Sequence, residues 1–257
     1  MMDAHKDLRL AVLIDAENIP SSYMTGIFEE IVRFGTPTYK RIYGDLSKTA
    51  LASWKQVILD NALTPMQQYS YTKGKNASDS VLIIDAMDIL YSGHVDGFCI
   101  VSSDSDFTRL ATRLRESGKI VFGFGERKTP LPLIKACNKF IYIEILKEEP
   151  RTPAHPAHSA PGVKGRAEHV KESPVTPDRD LLVRMISESI SDGADENGWV
   201  FLGALVSLLI KKSPDFDPRN YGFKKMLPLV KSLPEFEVDE RKSSDKNVKN
   251  VYVRLGA

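Results

Sequence analysis

A proline-rich segment near the middle of the chain limits what the sequence can fold into. Between residues 147 and 177 lie six prolines and three of the five histidines, but no Phe, Tyr or Trp. Such a segment has too little apolar surface to offset the entropy of ordering it, which favours a flexible, extended linker. We therefore expect a first domain over residues 1–146, a linker over 147–177 and a second domain over 178–257.

The charge balance limits the possible partners. The 257 residues include 35 basic and 34 acidic side chains, and 42% of them are hydrophobic, as in ordinary globular proteins. Each expected domain is balanced too, with 17 basic and 17 acidic residues in the first and 13 of each in the second. This excludes a protein that binds nucleic acid through bulk positive charge, so any polyanion site depends on local placement.

Cysteine usage and hydropathy indicate the compartment. Cys99 and Cys137 form no CxxC pair and supply neither a zinc site nor a disulfide framework. The linker histidines follow no metal-ligand spacing. The first residues include acids where a signal peptide has basic residues, and the longest nearly apolar stretch, 200–210, is too short to span a bilayer. We expect a cytoplasmic protein without a membrane partner.

Strand and helix patterns alternate along the first domain. Apolar strands separated by helices of about 10–15 residues predict a mostly parallel, doubly wound sheet with right-handed crossovers, hence an α/β fold. The predicted strands cover residues 8–15, 38–44, 66–71, 97–103, 119–124 and 140–145. The predicted helices cover residues 21–34, 49–61, 77–91, 107–117 and 131–137.

Acidic residues follow two of these strands. Asp15 ends the first strand, and Asp104 and Asp106 follow the strand that begins at residue 97. Ligands of open α/β sheets bind beyond the carboxyl ends of the strands. Asp79 lies at the start of a predicted helix, and helical spacing turns Asp85 about 120° away from it. The sequence therefore predicts that Asp15, Asp79, Asp104 and Asp106 converge.

A cluster of carboxylates is unfavourable when empty, because each raises the pKa of the others. Mg²⁺ or Mn²⁺ removes that cost, since hard cations prefer oxygen ligands. An alternative is open for each acid, because Asp at a strand-to-helix junction is also a common helix N-cap. Asn18, two residues before Pro20, likewise fits a turn.

Three separated motifs carry a resemblance. They read Leu-Ile-Asp-Ala-Glu-Asn from Leu13, then Lys-Asn-Ala-Ser-Asp-Ser and Ile-Ile-Asp-Ala-Met-Asp from Lys75 to Asp88, then Val-Ser-Ser-Asp-Ser-Asp-Phe from Val101. In this order they resemble the NYN family, LabA-like branch, of PIN-like nucleases, over about residues 8–146. The resemblance implies a doubly wound sheet and metal-dependent cleavage of RNA.

The resemblance also implies roles for single residues. Asp15 would be the first-strand metal ligand, Asn18 its supporting amide, and Asp79 the acid carried by a helix. Asp104 and Asp106 would complete the catalytic site around Mg²⁺ or Mn²⁺. Ser102 and Ser103 would orient ligands or water, and the helical direction of Asp85 favours a structural role.

Basic residues near these motifs are candidates for phosphate contact, with a solvated basic face as the alternative. They are Lys73, Lys75, Arg109, Arg113, Arg127 and Lys128. The run Gly123-Phe124-Gly125 begins like a dinucleotide-binding loop, but it lacks the third glycine and follows a late strand. We therefore expect no nucleotide cofactor.

The second domain shows three helical patterns followed by two alternating strands. The helices begin at residues 178, 202 and 217, and the strands cover 236–240 and 250–255. This order predicts a small winged helix-turn-helix domain. The runs Trp-Val-Phe-Leu-Gly-Ala-Leu and Phe-Asp-Pro-Arg-Asn-Tyr-Gly-Phe-Lys-Lys-Met-Leu make it similar to the OST-HTH/LOTUS family.

That resemblance implies RNA binding or, in some members, docking of a protein partner. The third helix offers charge and one aromatic ring for phosphate contact and base stacking. The candidates there are Arg219, Tyr221, Lys224 and Lys225. Phe223 and Leu227 fit the core, and Lys246 and Lys249 are candidates in the hairpin turn.

Together these patterns favour a metal-dependent ribonuclease domain tethered to an RNA-binding winged helix. The alternative is a non-catalytic RNA-binding or regulatory adaptor whose acids bind metal without turnover. Phosphatase chemistry is less favoured, because Asp15-Ala16-Glu17 lacks the second Asp expected after a phosphatase nucleophile.

Overall fold

The computed structural model describes residues 7–45, 52–67, 77–146, 179–242 and 249–256. The expected linker lies outside the described residues, as do three of the basic candidates, Lys73, Lys75 and Lys246. The domain boundaries therefore stay a prediction. Three separate clusters of buried apolar side chains are present in the described ranges, two before the linker and one after it.

A sheet of six parallel strands forms the centre of the first domain. The strands are β1 (Leu8–Asp15), β2 (Gly35–Gly44), β3 (Thr64–Gln67), β4 (Gly97–Val101), β5 (Ile120–Gly125) and β6 (Lys139–Tyr142). They lie side by side in the order β3-β2-β1-β4-β5-β6, and Ile14 of β1 pairs with Val101 of β4. The strand order reverses between β1 and β4, which opens a crevice at their carboxyl ends.

Helices cover both faces of this sheet. They are α1 (Met24–Ile31), α2 (Trp54–Asn61), α3 (Ala77–Ser92), α4 (Thr108–Glu116) and α5 (Leu131–Ala136). Along β1, Ala11 and Leu13 pack towards α3, α4 and α5, while Val12 and Ile14 pack towards α1 and α2. Because both faces are covered, the central strands are apolar at nearly every position, as the sequence pattern predicted. This confirms the α/β fold.

The second domain contains three helices and a three-stranded antiparallel sheet in its described part. The elements are α6 (Arg179–Gly193), β7 (Val200–Phe201), α7 (Leu202–Lys212), α8 (Met226–Lys231), β8 (Phe236–Lys242) and β9 (Lys249–Leu255). Sequence reasoning missed β7, since two residues are too few to show an alternating pattern. None of the helices in the described ranges is long and apolar enough to cross a bilayer.

The structure corrects two predicted elements. The predicted strand 140–145 ends at Tyr142, and the chain continues as a 3₁₀ turn over Ile143–Leu146. The single helix predicted to begin at residue 217 is two pieces, a 3₁₀ turn over Pro218–Tyr221 and then α8. Gly222 separates them with φ of 83°, a left-handed conformation that ends a helical turn and favours glycine.

The second domain packs against the edge of the first domain's sheet. The backbone N–H of Phe140 in β6 donates to the carbonyl of Pro214 at 2.8 Å. The Tyr142 hydroxyl, at the end of the same strand, donates to Oδ2 of Asp215 at 2.8 Å. The segment between α7 and the 3₁₀ turn therefore covers an edge strand whose polar backbone groups are otherwise open to pairing.

A group of ions fixes this contact. The Arg219 guanidinium donates to both carboxylate oxygens of Glu30 in α1, at 2.8 and 2.9 Å, and to both oxygens of Asp217. Glu30 and Asp217 are only 5% and 6% exposed. Burial would raise the pKa of Asp217, but the Arg219 hydrogen bonds outweigh it and hold that pKa below its usual value. Arg219 therefore compensates two buried carboxylates at once.

We predict that Arg219→Ala destabilises the protein by about 2 kcal/mol or more, because buried Asp217 loses its guanidinium partner and buried Glu30 retains the weaker pair with Arg33 at 3.2 Å. Arg179→Ala is the matched control, since Arg179 pairs with Glu235 at the surface and such pairs contribute about 1 kcal/mol or less. Urea unfolding followed by tryptophan fluorescence measures both. Equal, small losses in the two variants would contradict the prediction.

Candidate metal centre

The candidate centre lies where β1 and β4 end side by side. Asp15 is the last residue of β1, and its side chain is buried at the crevice that the change of strand order opens. The loop that follows β4 carries Ser102, Ser103 and Asp104 past the same point. The pairing of the two strands thus brings together acids that are 89 residues apart in sequence.

One hydroxyl group connects the two strand ends. The Ser102 Oγ donates to Oδ2 of Asp15 at 2.9 Å and accepts from the backbone N–H of Asp104 at 3.0 Å. The other carboxylate oxygen of Asp15 accepts from the backbone N–H of Glu17. Both oxygens of Asp15 are therefore engaged, and Ser102 fixes the loop of Asp104 against β1.

Asn18 and Ser103 tie the surrounding loops together. The Asn18 Oδ1 accepts from the backbone N–H of Ser103 at 3.3 Å, and the Ser103 Oγ accepts from the backbone N–H of Glu126 at 2.8 Å. Three loops, after β1, β4 and β5, are joined in this way. Asn18 belongs to the turn after β1, and its role as a supporting amide for a metal ligand stays a prediction.

Three carboxylates converge beside this network. One oxygen from each of Asp79, Asp104 and Asp106 lies within 4.8 Å of the other two. Asp79 comes from the first turn of α3, and the other two come from the 3₁₀ turn after β4. Asp104 is also an N-cap, since its Oδ1 accepts from the backbone N–H of Asp106 at 2.9 Å. The cap and the cluster interpretations are therefore compatible. We call Asp79, Asp104 and Asp106 the acidic triad.

Asp15 lies next to the triad but is not a member of it. Burial raises the pKa of Asp15 from 3.8 to about 6; the Ser102 hydrogen bond opposes this rise, and the charge of Asp79 adds to it. The influence of Asp79 on this pKa shows that the two carboxylates lie close enough to interact.

Glu17 is a residue of this site that sequence reasoning did not single out. Its Oε2 accepts from the Ser78 hydroxyl at 3.0 Å, which joins the loop after β1 to the start of α3. Its charge also raises the pKa of both Asp15 and Asp79. The sequence feature that could have identified Glu17 is its position two residues after Asp15, in the same loop.

The electrostatics of the triad fit a divalent cation. Burial raises the pKa of Asp79, and the charges of Asp104, Asp106 and Glu17 raise it further. A donor set made only of carboxylate oxygens matches the preference of hard cations such as Mg²⁺ and Mn²⁺. A bound cation would offset the repulsion that these pKa shifts report.

Asp85 has a structural role, as its direction on α3 predicted. It is buried, and its carboxylate accepts hydrogen bonds from Arg41 and from the Tyr43 hydroxyl, both on β2. These contacts hold α3 against the sheet. The helix that carries Asp79 is therefore positioned by a separate acid two turns further along.

The basic candidates are distributed over several surfaces. Exposed Arg109 lines a hollow beside Asp106, together with Arg113. The Arg127 guanidinium lies 5.5 Å from the Tyr142 ring centroid, and Lys128 pairs with Glu126 at 2.5 Å. In the second domain Lys224, Lys225 and Lys249 are exposed, whereas Tyr221 and Phe223 pack against the core.

Arg219 departs from the sequence prediction. We expected it to contact RNA from the third helix, but it forms four hydrogen bonds to Glu30 and Asp217 at the contact between the domains. The reason is tertiary, because Glu30 lies 189 residues away in sequence. We therefore assign Arg219 to domain docking rather than to the RNA-binding surface.

The doubly wound parallel sheet, with carboxylates clustered at its change of strand order, is consistent with a PIN-like α/β fold. The NYN domain family matches residues 9–144, and the chain belongs to that family. The OST-HTH/LOTUS domain, an RNA-binding class, matches residues 176–248. No curated protein matches the chain.

Three solved structures are similar to parts of the chain. A protein of unknown function from Vibrio parahaemolyticus is 19% identical, with a TM-score of 0.46, over 55% of this chain and 96% of its own. A protein from Nitrosomonas europaea is 27% identical, with a TM-score of 0.27, over 43% and 93%. Residues 175–257 of a Chromobacterium violaceum protein are 34% identical, with a TM-score of 0.25, over 29% and 78%.

We predict that Asp15→Asn changes how stability depends on pH in the presence of EDTA. The folded-state pKa of Asp15, about 6, lies above its ordinary value of 3.8, so folding favours the protonated form. The associated stability is fully present below about pH 4 and is lost as the pH rises through 6. Between pH 4 and 7, the free energy of unfolding of the wild type should fall by on the order of 2 kcal/mol relative to that of Asp15→Asn.

Urea unfolding at several pH values measures this difference. Asp88→Asn is the control, because Asp88 is exposed on α3 and its replacement should leave the pH profile of the wild type nearly unchanged. A constant free-energy gap between wild type and Asp15→Asn from pH 4 to 7 would contradict the prediction.

Proposed function

We propose that the protein is a divalent-metal-dependent ribonuclease that hydrolyses RNA phosphodiester bonds. The observation that carries the proposal is the acidic triad, three carboxylates within 4.8 Å at the change of strand order of an NYN domain. The OST-HTH/LOTUS domain on the same chain supports RNA as the substrate. A cluster of carboxylate oxygens suits metal-assisted hydrolysis, in which a metal-activated water is the nucleophile.

Asp79, Asp104 and Asp106 are the residues that would hold Mg²⁺ or Mn²⁺. The metal, when bound, would activate a water molecule and stabilise the charge that develops on the phosphodiester. Asp104 is fixed for this task by two hydrogen bonds, one from its own N–H to Ser102 and one to its carboxylate from Asp106. These hydrogen bonds orient the Asp104 carboxylate before a metal ion binds.

Asp15 positions the loop that carries Asp104 in this proposal. Its hydrogen bond from Ser102 links β1 to the loop of Asp104, so it positions the triad. Its role as a direct metal ligand stays a prediction.

The second domain is proposed to hold the RNA substrate. Exposed Lys224, Lys225 and Lys249 offer positive charge on its surface. A domain tethered to the nuclease domain raises the effective concentration of bound RNA at the triad. Docking of a protein partner by this domain is the alternative that an RNA-binding measurement tests.

We predict that Asp79→Asn and Asp104→Asn each lower RNA cleavage at least about 100-fold, more than replacement of an outer-shell partner usually costs. Each variant removes one anionic oxygen ligand while keeping the shape of the side chain. Asp88→Asn, on the exposed side of α3, is the matched control and should retain activity. Turnover of labelled RNA with Mg²⁺, Mn²⁺ or EDTA measures the effect.

Undiminished cleavage by both triad variants would rule out the proposed site. A wild type that binds metal and RNA but shows no turnover would instead identify a non-catalytic adaptor.

We also predict that millimolar Mg²⁺ or Mn²⁺ raises the melting temperature of the wild type. A cation at 100 times its dissociation constant stabilises the folded state by about 2.7 kcal/mol. The rise should be lost in Asp79→Asn and kept in Asp88→Asn, because only Asp79 belongs to the triad. Thermal unfolding with and without metal measures it, and an equal rise in both variants would place the metal elsewhere.

A further inference from the structure

A cleft of about 620 Å³ lies between the two domains. Arg127, Lys135 and Tyr142 line it from the first domain. The second domain contributes side chains from α6, from the end of α7 and from the segment up to Tyr221. This volume falls in the range of sites that bind a small molecule or one unit of a polymer. We call this space the interdomain cleft.

The charged groups of the cleft favour an anion. Four cations line it, and they are Arg127, Lys135, Arg184 and Lys212. The two lining acids are Glu188 and Asp215. The oxygens of Asp215 already accept from the hydroxyls of Tyr142 and Ser213.

Two of the cations have acidic partners of their own. Glu188 faces Arg184 at 3.9 Å in an exposed pair, a geometry that contributes little. Lys212 pairs with Asp192 at 2.5 Å, and its side chain, which lines the cleft, remains partly exposed. The cleft therefore has more positive than negative charge along its lining.

The cleft also contains groups suited to a nucleobase. The rings of Tyr142 and Tyr221 lie in its lining, and aromatic rings stack on the bases of single-stranded RNA. Asn220 lines the same space, and its Oδ1 is buried without a hydrogen-bond partner in the described structure. The Nδ2 of Asn220 donates to the backbone carbonyl of Asp215 at 3.0 Å, which fixes this side chain in the cleft wall.

The position of the cleft connects it to the acidic triad. Arg127 lies two residues after β5 ends, and Tyr142 is the last residue of β6. Both therefore lie at the carboxyl edge of the sheet, the edge from which β4 leads to Asp104. Since neighbouring strands are about 4.8 Å apart, β6 lies about 10 Å from β4 along this edge.

We propose that the interdomain cleft binds one nucleotide of single-stranded RNA. In this arrangement the phosphate lies against Arg184 and Lys212, the base stacks on Tyr142 or Tyr221, and the strand continues along the sheet edge to the triad. The inference rests on the proposed function for the identity of its ligand. It adds a subsite that neither domain forms alone, with the docking contact of Arg219 and Glu30 keeping its walls together.

Fluorescence anisotropy with a labelled 12-nucleotide single-stranded RNA tests the proposal on the full chain in EDTA, where metal-dependent cleavage is absent. The variants are Arg184→Gln and Lys212→Gln, both in partly exposed side chains whose loss leaves the core intact. Lys211→Gln is the matched control, because Lys211 is the exposed neighbour of Lys212 in α7 and does not line the cleft.

We expect each cleft variant to weaken RNA binding about fivefold and to reduce the slope of log affinity against log salt by about 0.7, the value for one lost single-strand phosphate contact. Lys211→Gln should change neither quantity appreciably. A merely structural role for these cations would lower affinity without changing the slope. Unchanged affinity and slope in both cleft variants would overturn the proposal.

Two further arms separate the remaining explanations. If uridine 5′-monophosphate competes with the 12-nucleotide RNA at equal concentration, the cleft is a site for free nucleotides and the proposal is wrong. Binding is measured without metal, so it does not depend on the ribonuclease assignment. If the cleft variants bind RNA like the wild type, only the proposed nucleotide site in the cleft is refuted. Absence of turnover in the wild type with metal refutes the ribonuclease assignment alone, and the cleft then stands as an RNA subsite.

Discussion

The parallel pairing of β1 with β4 is the constraint on which the rest of the site depends. It aligns Ile14 with Val101, so that the residues that follow each strand emerge at one crevice. The Ser102 hydroxyl then joins Asp15 to the backbone of Asp104. The loops that carry the acids are thus held by backbone pairing and by the two hydrogen bonds of one hydroxyl group.

The site concentrates negative charge at a partly buried crevice, with Asp15 buried and the acidic triad partly open to solvent. Burial is the largest cause of the raised pKa of both Asp15 and Asp79, and neighbouring carboxylates add to it. Such an arrangement lowers the stability of the empty protein, and a cation that binds there recovers that free energy. The near-zero net charge of the chain is consistent with this, because acids gathered at one edge are offset by cations elsewhere, four of them around the interdomain cleft.

Much of the fold and part of the site could be predicted from the sequence, for identifiable reasons. Strands buried on both faces must be apolar throughout, so β1 and β4 were recognised together with the acids that follow them. Helical periodicity separated Asp79 from Asp85, and the contacts of Asp85 with Arg41 and Tyr43 agree with that direction. Glu17 was missed because its partner Ser78 is distant in sequence, and no local pattern reports a hydrogen bond across 61 residues.

The sequence by itself determined the two folded parts, the α/β class and the residue types available for a metal, because periodicity and strand-end chemistry are local properties. Only the tertiary structure decided which of those residues meet. It gathered Asp79, Asp104 and Asp106 into a triad with Asp15 beside it, and it turned Arg219 from a helix-surface cation into the partner of Glu30. The physical reason is that charged groups interact strongly only when they lie within a few ångströms of each other. Strand order and domain packing set the distances between these groups, and the local sequence does not.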